Sequence, residues 1–250
     1  MEKLLEIKNL KKEFINNKIK TTVLKNLNLD IYDGDFTIIM GQSGSGKSTL
    51  LYSISGMDKC DGSVIYNNTN ITKLSEKKLT KLRSKDFGFV FQQMHLVNNL
   101  TIFENIAVPG YNINKNTKQV NEKVKNLLSK VNIKNKNHLY PTQISGGEQQ
   151  RVAIARSMIN APKLIFADEP TGALNRKNAN AVLDLFTEIN KSGQSIVMVT
   201  HDVKTAIRGN RIIYLEDGKI KGEISLDRYT EKSVKEREKT VNDWLVNLMW

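Results

Sequence analysis

The chain contains one cysteine, Cys60, in 250 residues. No disulfide can form within it, and the expectation is a reducing compartment. Long apolar runs are missing too. The longest, around Phe36–Met40 and Ile196–Val199, fall far short of the roughly 18 residues that a membrane-spanning helix needs. The opening Met1-Glu2-Lys3-Leu4 lacks the apolar stretch of a signal peptide, so the expected location is the cytosol. Proline and serine nowhere gather into a linker, and no segment of roughly 20–50 residues repeats, which leaves no solenoid or propeller reading.

What remains is an ordinary globular composition. Hydrophobic residues make up 39% and charged residues 26%, which excludes a disordered, collagenous or disulfide-scaffold chain. A mass of 28.4 kDa gives one domain of normal core size with room for a subdomain. Lys and Arg outnumber Asp and Glu by 38 to 26, a net charge of +12. That excess suits an anionic partner: nucleotide phosphates, nucleic acid or the cytoplasmic face of a membrane. The lysines are scattered, however, in a chain rich throughout in Lys, Asn and Ile. A compositional bias accounts for the charge, and it assigns no partner by itself.

Short apolar runs alternate with amphipathic segments, the pattern of an α/β protein. Strands are expected over Leu4–Leu10, Thr22–Ile31, Phe36–Met40 and Ser63–Tyr66, with turns at Asp33-Gly34 and Asp61-Gly62. A helix is expected over Gly46–Ser55. From Gln92 to Asn160 the chain reads as mostly helical. Thr101-Ile102-Phe103-Glu104 matches a capping box, and Val120, Val124, Leu127, Leu128 and Val131 fall at helical spacing. The α/β rhythm then returns with a strand over Lys163–Asp168, a helix over Asn178–Asn190, a strand over Ser195–Thr200 and a hairpin at Asp217-Gly218. The final twenty or so residues predict an amphipathic helix, with Val234, Val241, Leu245 and Leu248 in register and Trp244 and Trp250 nearby.

Gly41-Gln42-Ser43-Gly44-Ser45-Gly46-Lys47-Ser48 fits G-x-x-x-x-G-K-[ST] between an expected strand and an expected helix. Glycines let the backbone curl until successive N–H groups face a phosphate, and the helix N-terminus adds positive potential. Gly41, Ser43, Gly44, Ser45, Gly46, Lys47, Ser48 and Thr49 are the expected phosphate-binding set. Lys47 reaches the β- and γ-phosphates, and the Ser48 hydroxyl can ligate Mg²⁺. Leu164-Ile165-Phe166-Ala167-Asp168-Glu169 is a strand that delivers Asp168 at its C-terminal edge, where open parallel sheets bind ligands. Asp168 is expected to hold Mg²⁺ through water. Glu169 can reach an attacking water as general base.

Ile144-Ser145-Gly146-Gly147-Glu148-Gln149-Gln150-Arg151 has a plain reading as a capping box, Ser145 with Glu148. Two glycines are poor residues for a helix start unless the backbone must come close to something. A serine cap followed by exposed N–H groups makes a second anion site. The simplest use of two phosphate sites in one chain is a head-to-tail dimer, with each triphosphate held by Lys47 of one copy and Ser145 of the other.

With these motifs the sequence resembles the ATP-binding subunit of ABC transporters over nearly its whole length. The implied fold is α/β: a P-loop ABC-type ATPase core with an N-terminal β-subdomain and an inserted α-helical subdomain. The implied layout places the first part of the core at 1–91, the helical subdomain with the signature at 92–160, the second part of the core at 161–226 and a C-terminal helix at 227–250. The signature appears as Ile144–Glu148, with Ser145, Gly146 and Gly147 as nucleotide contacts. Gln92, after Phe89-Val90-Phe91, matches the Q-loop that joins the Mg²⁺ site to the helical subdomain. His201, in Val199-Thr200-His201-Asp202, matches the histidine that contacts γ-phosphate, and Phe14 stands where the family stacks an aromatic on adenine.

Ile31–Phe36, Phe87–Gln92, Glu104–Pro109 and Tyr140-Pro141 look like the macrolide-export and lipoprotein-release group, to which antimicrobial-peptide export and resistance ATPases belong. The resemblance implies ATP and Mg²⁺ as ligands, ATP hydrolysis, a second copy in an ATP-sandwich dimer and a separate integral-membrane permease. It places the chain peripherally on the cytoplasmic face of the cell membrane, coupled to export or to mechanotransmission. The chain departs from the family at Asn175, where the D-loop usually ends in Asp. A DNA-repair ATPase is the alternative that the basic charge favours, but the stretch between Lys47 and Ser145 leaves room for a helical subdomain and not for a long coiled coil. No nucleic-acid partner is expected. Translation-factor relatives carry two ATPase domains where this chain carries one, and Glu169 and His201 argue against a binding module without hydrolysis.

Overall fold

A computed structural model describes residues 2–17 and 19–248. In chain order its elements are strands β1 (Lys3–Asn16), β2 (Ile19–Tyr32) and β3 (Phe36–Met40), helix α1 (Lys47–Ile54), β4 (Asp61–Tyr66), β5 (Thr69–Asn70), α2 (Glu76–Asp86), β6 (Phe87–Val90), α3 (Ile102–Ile113), α4 (Thr117–Lys130), α5 (Gly146–Met158), β7 (Leu164–Asp168), α6 (Arg176–Lys191), β8 (Ser195–Thr200), α7 (Val203–Ala206), β9 (Arg211–Glu216), β10 (Lys219–Ser225) and α8 (Val234–Asn247). They form two compact units, Met1–Leu79 with Asn190–Trp250, and Thr80–Ile189.

The first unit holds an antiparallel sheet in the order β2-β1-β4-β5 and a run of strands in the order β10-β9-β3-β8. β3 lies parallel to both β8 and β9. Every residue of β3 and β8 is buried. Strands covered on both faces need no polar alternation, which is why both read as continuous apolar runs. β1 and β2 behave differently. Leu5, Ile7, Leu10, Leu24, Leu27, Leu29 and Ile31 face the core, but the pairing slips between Ile7 and Leu10 and again between Leu10 and Lys12. Asn9 and Asn26 take left-handed backbone conformations in these strands, which asparagine tolerates better than most residues. The bulges break the period of two. The hairpin therefore runs on to Asn16 and Ile19, beyond the expected Leu4–Leu10 and Thr22–Ile31.

In the second unit β6 and β7 pair in parallel. Its helices bury Ile102, Ile106 and Ala107 of α3, Val120, Val124, Leu127 and Leu128 of α4, and Val152–Ala155 of α5. The expected capping box at Thr101 is formed: the Thr101 hydroxyl accepts from the Glu104 N–H and the Glu104 carboxylate accepts from the Thr101 N–H. α2 carries no sequence signal. Ten of its residues are polar or half-exposed, and its one buried side chain is Leu79.

The C-terminal helix packs on its own unit. Val241 and Leu245 are fully buried, and Trp244 meets Tyr214 edge-on. Buried Arg237 donates to the carbonyls of Ile207, Gly209 and Asp227. This fastens α8 to the loop that follows α7. Trp250, expected at the end of this helix, lies outside the described residues.

Candidate nucleotide site

β3 ends at Met40, and the chain enters the phosphate loop at Gly41. Any side chain there would collide with the fold, since an added Cβ would sit 2.2 Å from the Leu215 carbonyl oxygen and 2.7 Å from Ser45 Oγ. The loop closes through the Ser45 N–H to the Gln42 carbonyl at 3.2 Å, and it rests on the β9–β10 hairpin through the Gly218 N–H to the Ser45 carbonyl at 3.1 Å. Gly46 adopts φ 101° as the N-cap of α1 and supplies no side-chain cap. The start of α1 therefore carries no side-chain cap of its own, and a helix N-terminus of this kind favours an anion.

Lys47 is buried and folds back over the loop, donating to the carbonyls of Gly41 (2.9 Å) and Gln42 (2.8 Å). Ser45 Oγ is buried with no hydrogen-bond partner among the described residues. A buried hydroxyl in that state is unfavourable unless a ligand completes it. A cradle without a side chain at Gly41, an uncapped helix start, an ammonium and an orphaned hydroxyl together fit an anion of phosphate type.

His201 is exposed between β8 and α7. Asp202 fixes the start of α7 by accepting from the N–H groups of Lys204 and Thr205. Phe14 projects from β1 with 45% of its surface exposed, and the Lys12 ammonium lies 4.7 Å from its ring centre. Cys60 is half-buried, and burial pushes its thiol up to about 11.

The second unit carries the remaining predicted residues. Asp168 and Glu169 follow buried Leu164–Ala167 at the end of β7, both half-buried. Glu169 holds φ 41°, a left-handed conformation that is uncommon for a non-glycine residue and is found most often where function requires it. Its carbonyl accepts from the Gly172 N–H at 3.0 Å. Gly172 in turn abuts Gln92: an added Cβ would meet Gln92 Nε2 at 2.8 Å. The structure therefore brings Gln92 against the segment that leads away from Glu169.

Ser145 and Gly146 are exposed at the start of α5. The Ser145 hydroxyl accepts from the Glu148 N–H (3.4 Å), and the Glu148 carboxylate accepts from the Ser145 N–H (3.0 Å) and hydroxyl (2.9 Å). The Lys136 ammonium beside it, at 2.6 Å, and the Ser145 donors hold the Glu148 carboxyl down to about 2. Gly147 permits close packing on α6, since a Cβ there would lie 2.6 Å from Asn178 Cγ.

Three contacts here gave no signal in the sequence. Fully buried Gln150 donates to the Phe91 carbonyl at 3.0 Å. Arg156 donates to the carbonyls of Met94 (2.7 Å) and His95 (2.6 Å). Two side chains of α5 thus grip the chain on both sides of Gln92. Lys136 is the third, through its ion pair with Glu148.

Asn175 caps α6, accepting from the Asn178 N–H at 3.0 Å, and the helix starts at Arg176 rather than at the expected Asn178. Asn and Asp cap equally well, and a carboxylate adds about 0.3–1 kcal/mol beside the helix dipole. Asn175→Asp is therefore expected to leave the thermal midpoint unchanged or slightly raised. A lowered midpoint would contradict this role.

Among the described residues no helix is long and apolar enough to cross a membrane. A family model described as ABC transporter matches residues 24–172. The lipoprotein-releasing system ATP-binding protein LolD of Aquifex aeolicus is 42% identical over 226 residues, 90% of this chain and 99% of that protein. The macrolide export ATP-binding/permease protein MacB of Pasteurella multocida is 41% identical over 219 residues, 87% of this chain; this chain spans only 34% of that protein's length. A solved dimeric post-hydrolysis state of the ATP-binding cassette MJ0796, bound to ADP and Pi, superimposes with a TM-score of 0.82 at 38% identity, covering 90% of this chain and 100% of that one.

Proposed function

The chain belongs to the ABC transporter family of ATP-binding cassettes, and on that premise we propose that it hydrolyses ATP to drive a separate integral-membrane permease. The observation that carries this reading is the phosphate loop, with its uncapped helix start and orphaned Ser45 hydroxyl. LolD is named as an ATP-binding protein and is matched along its whole length, which favours a permease on another chain over the fused arrangement that MacB's name describes. The cargo class is then peptides, antibiotics or lipoproteins, moved outward or resisted. The chain works at the cytoplasmic face of the membrane, held there by the permease, and nucleic acid is not a partner.

In this reading Phe14 stacks on adenine. Gly41, Ser43, Gly44, Ser45, Gly46 and Thr49 cradle the phosphates, and Lys47 bridges the β- and γ-phosphates. Ser48, Gln92 and Asp168 supply hydroxyl, amide and carboxylate oxygens, the hard donors that Mg²⁺ takes. The ion, when bound, offsets charge on the phosphates. Glu169 accepts a proton from water as the water oxygen attacks the γ-phosphorus, the bond to the β-phosphate oxygen breaks, and ADP leaves with that electron pair. His201 orients the γ-phosphate. Ser145, Gly146 and Gly147 close on the ATP of a second copy, completing two shared sites in a head-to-tail dimer.

The test is co-expression with the candidate permease. The two are expected to co-purify, and the complex to show ATPase activity that Lys47→Ala abolishes. A stable complex without ATPase activity would remove the enzymatic reading, and failure to co-purify would remove the permease pairing.

A further inference from the structure

We propose that Lys136 is a positioning residue of the signature site: by holding the Glu148 carboxylate it cancels the negative charge beside Ser145, so that the start of α5 can accept the γ-phosphate of a second copy's ATP. The inference rests on the reading of Ser145 as a phosphate contact given above.

Both oxygens of Glu148 are engaged. Oε2 accepts from the Ser145 N–H at 3.0 Å and from the Ser145 hydroxyl at 2.9 Å, and Oε1 accepts from Lys136 Nζ at 2.6 Å. The carboxylate thus stands within hydrogen-bond reach of the very hydroxyl that is to meet a phosphate. Two anions sharing one serine repel. The cap itself does not require the charge, since glutamine closes a capping box as well as glutamate does. A cation is needed here because this chain carries Glu148, and Lys136 provides it. Its side chain is 43% exposed and that of Glu148 18%. A pair whose ammonium is this exposed contributes little to stability, so its effect falls on the field at the helix start, where exposed Ser145 and Gly146 face solvent. Lys136 lies in the loop between α4 and α5, a loop that Arg151 also ties to α5 through the Val131 carbonyl at 3.1 Å. Loss of Lys136 therefore leaves a second tether in place.

The test uses the full chain and ATP. Lys136→Met is expected to raise the half-saturating ATP concentration for hydrolysis about tenfold, with kcat moving less than about twofold. Lys136→Gln, which keeps a donor for Glu148 without its charge, is expected to show the same shift, and Lys136→Arg to restore the original value. In a Glu148→Gln background, Lys136→Met should shift half-saturation by less than about twofold, because no charge is left to cancel. In a Glu169→Gln background, the ATP concentration that gives half-maximal dimer on gel filtration should rise with Lys136→Met by the same factor. An equal shift with and without Glu148, a silent Lys136→Met, or a wild-type Lys136→Gln would overturn the proposal and leave Lys136 a simple tether. Ser145→Ala separates the premise. If it leaves the ATP dependence unmoved, the phosphate role of Ser145 falls and takes this inference with it; if it shifts the dependence while Lys136→Met does not, only the role of Lys136 falls.

Discussion

Replacing Glu169 with glutamine is expected to slow ATP hydrolysis by about 10²–10⁴ while leaving ATP binding and ATP-driven dimerisation in place. Glutamine keeps the length and shape of the side chain but cannot accept a proton from water. Glu169 is half-buried one residue past the end of β7, whose first four residues, Leu164–Ala167, are fully buried, so the strand fixes where its main chain starts. Its φ is 41° and its carbonyl accepts from the Gly172 N–H, and glutamine bears this conformation as well as glutamate does. The fold should therefore be indifferent to the change. With closure intact and hydrolysis stalled, the variant should run as a dimer on gel filtration in ATP and as a monomer in ADP. Phosphate release at the wild-type rate would show that Glu169 is not the base.

How far such roles could be read from the sequence depended on whether the signal was local. The phosphate loop, the Asp168-Glu169 pair and the Ser145–Glu148 cap are each written in consecutive residues at fixed spacing. The structure forms the cap as the spacing predicts and gives the loop its expected strand and helix flanks. The buried strands β3 and β8 were legible for the same reason, as uninterrupted apolar runs. The bulged hairpin was not: left-handed Asn9 and Asn26 shift its register, and period-two reasoning stops at the first bulge. Nor was α2, because a helix with one buried residue has no apolar stripe to recognise. Gln150, Arg156 and Lys136 were invisible because each bonds to a group fixed by tertiary structure, two of them to backbone carbonyls that carry no residue signature. Asn175 departs from the family pattern in the sequence, whereas its local work as the cap of α6 depends on the helix beginning at Arg176, two residues before the expected start. Arg237 is equally silent in the sequence, one charge among its charged neighbours, yet it is buried on three carbonyls.

Mixing two inactive variants should restore hydrolysis if the sites are shared between copies. Ser145→Arg places bulk and charge at the exposed start of α5, where a second copy's γ-phosphate is to bind, and it removes the cap that Ser145 provides. Loss of the cap costs about 0.5–2 kcal/mol, which a folded chain survives. Its own phosphate loop is untouched, so ATP binding by the monomer should persist while hydrolysis is lost. Lys47→Ala deletes the buried ammonium that lies over the loop and should be inactive through failure to bind the phosphates. Each homodimer then has two defective sites. In a heterodimer of the two variants, one composite site collects both lesions and the other has neither. Random pairing at equal concentrations makes half the dimers heterodimers with one intact site each, so roughly a quarter of the wild-type rate should return if the sites fire independently. Sites confined to single chains predict no recovery at any ratio, because every chain carries its own lesion. Titrating one variant into a fixed amount of the other therefore decides between the two arrangements: a rate that rises and then saturates requires shared sites, and a flat response excludes them.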